Sequence, residues 1–204
     1  MSTPSKLQKG ALVTVSSTGQ QTGTIPFQYN PDTLRRTLTP QLVGGQQNDR
    51  SQMVRFSGAP IEVISVEVEL DYVDASGVAD ATVPSLGVYP LLSALEILCY
   101  IPTATQQSND SLLSWGTLEV APTPAPLTLF VWGAQRVVPV AIQSYNITEQ
   151  LFDNFLTPIR AVVALELRVL SYSDLNTSNP GYSQFMVYQK NKETLAAQLS
   201  QSPV

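Results

Sequence analysis

Ile159, Ala161, Val163, Leu165, Leu167 and Val169 are apolar at every second position, and Arg160, Glu166 and Arg168 stand between them. A period of two predicts a strand over 159–170 with one face in a core. The same division recurs over 61–72. Ile64, Val66, Val68, Leu70 and Tyr72 fall on one side, and Glu67, Glu69 and Asp71 on the other. Two further β-type runs, 127–132 and 137–147, are joined by a short loop around Gly133, which reads as a hairpin. Residues 11–16 and 24–29 predict a second hairpin, and Asn30-Pro31 stops its second strand. The period changes once. Over 88–101, Leu91, Leu92, Leu95, Leu98 and Cys99 recur at helical spacing, with Pro90 acceptable in the first turn and Pro102 ending the run. Residues 184–199 predict a weaker helix.

The connections are as informative as the strands. Residues 33–42 are mixed. Residues 43–60 are polar and contain Gly44, Gly45, Gln46, Gln47, Asn48 and Asp49 in a row. That is longer than the usual connection of about four to six residues. Residues 74–84 read as a loop. Residues 102–126 are rich in Thr, Gln, Ser and Pro, and Trp115 lies within a small apolar patch there. Together these features predict one mainly β domain over 1–175, followed by a linker and short tail over 176–204. The expected architecture is an antiparallel barrel or sandwich with one packed helix.

Composition narrows the chemistry. The chain of 204 residues carries a formal charge of −5, and only 13% of it is charged against 43% hydrophobic. A surface so poor in charge suits a subunit that is covered by partners. Between Arg55 and Arg136 there is no Lys or Arg, while Glu62, Glu67, Glu69, Asp71, Asp74, Asp80, Glu96, Asp110 and Glu119 are all acidic. With no basic patch, nucleic acid is not an expected partner. There is no histidine, so the commonest general base and metal ligand is missing. The one cysteine, Cys99, lies in an apolar run and reads as a small core residue. No phosphate-binding loop, dinucleotide fingerprint or nucleophile elbow is present. The expectation is therefore a structural protein rather than an enzyme, with no cofactor and no metal. The N-terminus has no apolar signal segment, and no run approaches the roughly 20 apolar residues of a membrane helix. A cytoplasmic origin without membrane insertion is expected.

The order of motifs adds a resemblance. Phe27-Gln28-Tyr29-Asn30-Pro31 comes first. Trp132-Gly133 then ends one strand. Phe152 follows in an aromatic turn, and Pro158-Ile159-Arg160-Ala161 opens the next strand. Over residues 8–172 this ordered set resembles the tube domain of contractile injection systems. It is most similar to the tube-initiator proteins that sit between spike and tube in phage-tail-like particles. The family's usual turn glycine is missing between Asp153 and Thr157. The LysM domain that often follows has no counterpart after Tyr172.

The resemblance implies a fold of the phage tail-tube type and a structural role. That role is a hexameric ring joining the spike or baseplate hub to the inner tube. The main inner-tube protomer, or another tube-like baseplate layer, is the alternative. A small monomeric β-barrel binding module is the alternative of another class. Implied partners are copies of the chain, the spike or hub protein, the inner-tube protein, and sheath or baseplate proteins. The implied setting is the bacterial cytoplasm, with assembly into a particle that is released or docked at a membrane. Gly44–Asp49 are the expected intersubunit arm, by likeness to the extended arm of that family. Glu67, Glu69, Asp71, Glu166 and Arg168 are expected to face the lumen and to make it strongly negative.

Overall fold

The computed structural model describes residues 8–16, 18–43, 55–72, 86–114 and 126–200. Nine strands occur among them: β1 (Ala11–Val15), β2 (Gln21–Pro26), β3 (Leu34–Thr39), β4 (Leu42–Val43), β5 (Arg55–Phe56), β6 (Ile61–Asp71), β7 (Leu127–Val131), β8 (Val137–Phe152) and β9 (Pro158–Val169). Three α-helices join them: α1 (Tyr89–Glu96), α2 (Thr103–Ser114) and α3 (Pro180–Ser200). Seven strands form one antiparallel sheet in the order β2-β1-β7-β8-β9-β6-β3, and β4 pairs with β5 separately. The protein is mainly β, as its alternating patterns predict.

The sheet is rolled but is not a closed barrel. Its two outermost strands, β2 and β3, are consecutive in the chain and do not pair with each other. Laid flat, seven strands at ~4.8 Å spacing would put them ~29 Å apart. The connection from Pro26 to Leu34 reaches at most about that far when fully stretched. It is not stretched, because Phe27 turns into the core and is fully buried. Gln28 then binds across the roll. Its side-chain amide donates to the Asp71 carbonyl at 2.6 Å, and its Oε1 accepts the Asp71 N–H at 2.9 Å. A side chain thus supplies the pair of bonds that a closing strand would otherwise make.

One face of the sheet builds the core. Ile64, Val66, Val68 and Leu70 of β6 lie beside Ala161, Val163, Leu165 and Leu167 of β9, and all are buried. Leu92 and Leu95 of α1, with Val88 just before it, cover this face, as do Phe185 and Tyr188 of α3. At the start of α1, Gly87 has φ +56°, and a Cβ there would stand 2.1 Å from the Pro158 carbonyl oxygen. That same oxygen accepts the Val88 N–H at 2.9 Å. Only glycine allows the helix to enter so close to β9.

Three expectations change. One packed helix and a weaker C-terminal one are expected, and three α-helices occur among the described residues. Thr103–Ser114, which reads as part of an irregular excursion, is helical. The helix near the C-terminus is not weak: it spans 21 residues and contributes buried aromatic rings. Gly181, Phe185, Tyr188 and Lys192 recur at helical spacing, and that stripe was the signal available in the sequence. Cys99 is exposed rather than in the core, because α1 tightens into a short 3₁₀ turn over Ile97–Cys99. The change of pitch swings the thiol off the buried stripe. Trp115 and the loop over 74–84 lie outside the described residues.

Candidate interaction surface

Strand phase places the anticipated polar residues together. In the β6–β9 ladder, Asp71 stands opposite Arg160, Glu69 opposite Val162, Glu67 opposite Ala164, Ser65 opposite Glu166, and Val63 opposite Arg168. β8 continues the face with Ser144, Asn146, Thr148 and Gln150, and β3 with Arg35, Thr37 and Thr39. Glu67, Glu69, Asp71, Glu166 and Arg168 therefore share one polar surface, as the alternating pattern predicts.

Part of its charge is paired within the chain. Arg160 forms ion pairs with Glu69 and, at 3.7 Å, with Asp71. Arg168 pairs with Asp174 at 2.6 Å, and Ser144 Oγ lies 3.0 Å from Glu166 Oε2. On these strands four acids face three arginines, Arg35, Arg160 and Arg168, and Asp174, the partner of Arg168, adds a fifth acid, so the surface keeps an excess of negative charge. Cross-strand pairing of opposite charges lowers the repulsion that a row of carboxylates would otherwise create.

The other motif residues gather at two places. Phe27, Phe130 and Trp132 form an aromatic cluster, with Phe130 and Trp132 stacked at 6.0 Å. Asn30 ties this end down: its Oδ1 accepts the Gly10 N–H at 2.8 Å, and its Nδ2 donates to the Gln8 carbonyl at 2.8 Å. Gly133 turns the chain at φ +71°. Pro31 lines an outer groove shared with Glu67 and Glu69. The second place is the β8–β9 turn, where Phe152 stands opposite Pro158. Phe152 is exposed, and Pro158 is buried beneath the start of α1.

Gly44, Gly45, Gln46, Gln47, Asn48 and Asp49 lie outside the described residues. The stem that carries them is the β4–β5 pair, where Leu42, Val43 and Phe56 are all exposed.

The inner face holds a charged cluster that strand alternation did not flag as special. Glu62 lies in phase with Ile64 and Val66 and is only 3% exposed. Its Oε1 accepts from Arg36 Nε at 2.7 Å and from the Tyr188 hydroxyl at 3.1 Å. Arg36 also donates to the Tyr188 oxygen at 2.9 Å. Lys192 Nζ lies 3.7 Å from Glu62 Oε2 and 4.0 Å from the centre of the Tyr188 ring. One carboxylate thus links β3, β6 and α3. Burial pushes the Tyr188 phenol up, and the Glu62 charge adds to this. Burial pulls Lys192 down, against the opposing pull of Glu62. The signal in the sequence was a carboxylate on the apolar phase of a strand, which is rare without a partner.

Among the described residues no group of three His, Cys, Asp or Glu is placed to hold a metal ion, and no helix is long and apolar enough to cross a membrane. No protein-family model matches the chain, and a search of curated proteins finds no match.

Proposed function

We propose that this chain is a structural, non-enzymatic subunit of a contractile injection particle, forming a hexameric ring that joins the spike hub to the inner tube. The observation that carries the reading is the rolled sheet itself. One face is apolar and covered, the other is polar with more acids than arginines, and the edges β2 and β3 do not pair with each other. Unpaired edges are the usual place for a neighbouring chain to add on. A ring built edge to edge would present the Glu67, Glu69, Asp71, Glu166 and Arg168 face to a water-filled channel. The motif residues Phe27, Asn30, Trp132 and Gly133 support the reading by clustering at one end of the sheet, so that end is built as a unit.

The assembled ring would contact the spike or hub protein on one side and the inner tube on the other. Sheath or baseplate proteins would lie outside, and assembly would begin in the bacterial cytoplasm. The exposed apolar stem at Leu42, Val43 and Phe56 fits the base of an intersubunit arm. Deleting Gly44–Asp49 should leave a folded monomer that no longer forms rings. The overall test is native mass spectrometry of the full chain, alone and with the tube protein, followed by electron microscopy of any ring. A strict monomer under every condition would instead favour a lone binding module. Many stacked rings per particle, rather than one, would make the chain the tube protomer.

A further inference from the structure

β8 and β9 form the longest hairpin among the described residues, and its tip breaks two rules at once. Phe155 is 87% and Leu156 76% exposed, and Leu151 and Phe152 are exposed beside them. Leu151 and Leu156 also adopt φ of +53° and +63°, a left-handed conformation costly for a branched side chain. Asp153 holds this geometry: its Oδ1 accepts the N–H groups of Phe155 and Thr157, each at 2.8 Å. The Asp153 N–H donates to the Thr157 carbonyl at 3.0 Å. The tip is therefore a preformed apolar knob. Local conflicts of this kind collect where another surface must be met.

The opposite end of the same hairpin carries a groove. Leu98, Leu127, Val140, Ile142, Leu170 and Leu175 line most of a cavity of about 350 Å³; Thr128 and Asn179 add polar atoms, no charged side chain lines it, and Cys99 lies at its wall. That volume is at the low end for a ligand site, roughly 300–1,000 Å³, and suits a few apolar side chains. The knob cannot fill the groove of its own chain. Ile142 and Phe152 are on one strand, ten residues and therefore ~33 Å apart.

We propose that the Phe155–Leu156 knob of one copy seats in the Leu98–Ile142–Leu170 groove of a second copy. The exposed Phe155 and Leu156 side chains match a groove that is mostly apolar and has no charged lining residue, and the two lie at opposite ends of one hairpin. A head-to-tail contact of this type is heterologous, so it builds rings or stacks rather than closed pairs. The inference rests on the assembly reading above only in that both need copies to associate.

The chain supplies its own probe, since Cys99 is the only cysteine. Asn154 is exposed at the tip. Asn154→Cys in the full chain, oxidised at mildly alkaline pH, should give a ladder beyond dimer on non-reducing gels. Digestion of that ladder should release a disulfide-linked peptide pair joining Cys99 to the thiol introduced at the tip. Adding Cys99→Ser should cut the ladder back to tip-to-tip dimers. Adding Phe155→Ser and Leu156→Ser instead should reduce it at least tenfold with an unchanged thermal melt. A missing ladder, or one indifferent to loss of the knob, overturns the proposal. Rings seen by native mass spectrometry without the tip-to-Cys99 link overturn it too, while leaving the ring reading intact.

Discussion

Glu62 and Glu69 lie seven residues apart on one strand and face opposite ways. Glu62 is buried among Arg36, Tyr188 and Lys192, and it links three elements. Glu69 pairs with Arg160 on the open side, where both remain substantially exposed. The residue type and the kind of partner are the same, but the surroundings differ. In water an ion pair is worth ~0–1 kcal/mol, because solvent competes for both charges. Inside, breaking the pair leaves a charge without solvent, which costs ~3–5 kcal/mol. Strand phase therefore decides which of these carboxylates holds the molecule together and which is free to serve a surface.

The largest test of that contrast removes the cover on the inner face. Truncation after Ser173 deletes α3, and with it the buried Phe185 and Tyr188 and the Lys192 partner of Glu62. A tail of linker character would be dispensable. A helix that seals the core is not, and the truncated chain should lose its cooperative melt. Phe185→Ala alone should cost ~3–5 kcal/mol in chemical denaturation.

Glu62→Ala comes next. It removes the carboxylate that accepts from Arg36 and from the Tyr188 hydroxyl, and it should cost ~3 kcal/mol. If Glu62→Ala proves no worse than Glu69→Ala, the inner cluster is no more than a surface pair.

Alkaline titration reads the same contrast without mutation. The phenols of Tyr188 and Tyr145 are raised above 10.0, in both cases chiefly by burial. A raised pKa contributes stability below the unfolded value and loses it as pH climbs from 10 toward the folded value. Lys192 works the other way, because its lowered pKa favours the folded state as pH rises. With two phenols against one amine, stability should fall above pH 10. Tyr188→Phe should flatten part of that fall.

The smallest effects belong to the outer face. Glu67→Gln with Glu69→Gln should change stability by less than ~1 kcal/mol. Rings should persist, and so should sheath or baseplate attachment, if the face lines a channel. Loss of attachment with intact rings would put the face outside. At the hairpin tip, Asp153 is held below the usual carboxylate value, chiefly by the Thr157 backbone hydrogen bond. A depressed pKa gives support above the unfolded value near 3.8 and withdraws it as pH falls below. Acidification should loosen the turn, read as faster amide exchange at Phe155 and Thr157, while the core stays protected.

Alternation alone determined that β6 and β9 are strands, which of their faces is apolar, and that Glu67, Glu69, Asp71, Glu166 and Arg168 share a surface. These are local consequences of a two-residue period. α1 was legible for the same reason, with its own period and its proline.

What the chain did not show locally was every feature that joins distant segments. The roll depends on Gln28 meeting Asp71, 43 positions away. The place of α3 depends on Tyr188 finding Glu62, 126 positions away. The exposure of Cys99 depends on a change of helical pitch that spacing does not reveal. Charge pairing on the outer face depends on register, which set Arg160 beside Glu69 and Asp71. Periodicity reports which side of an element is apolar. Only the packed structure decides what that side meets, because the free energy of burying a charge or a ring depends on the neighbours brought to it from elsewhere in the chain.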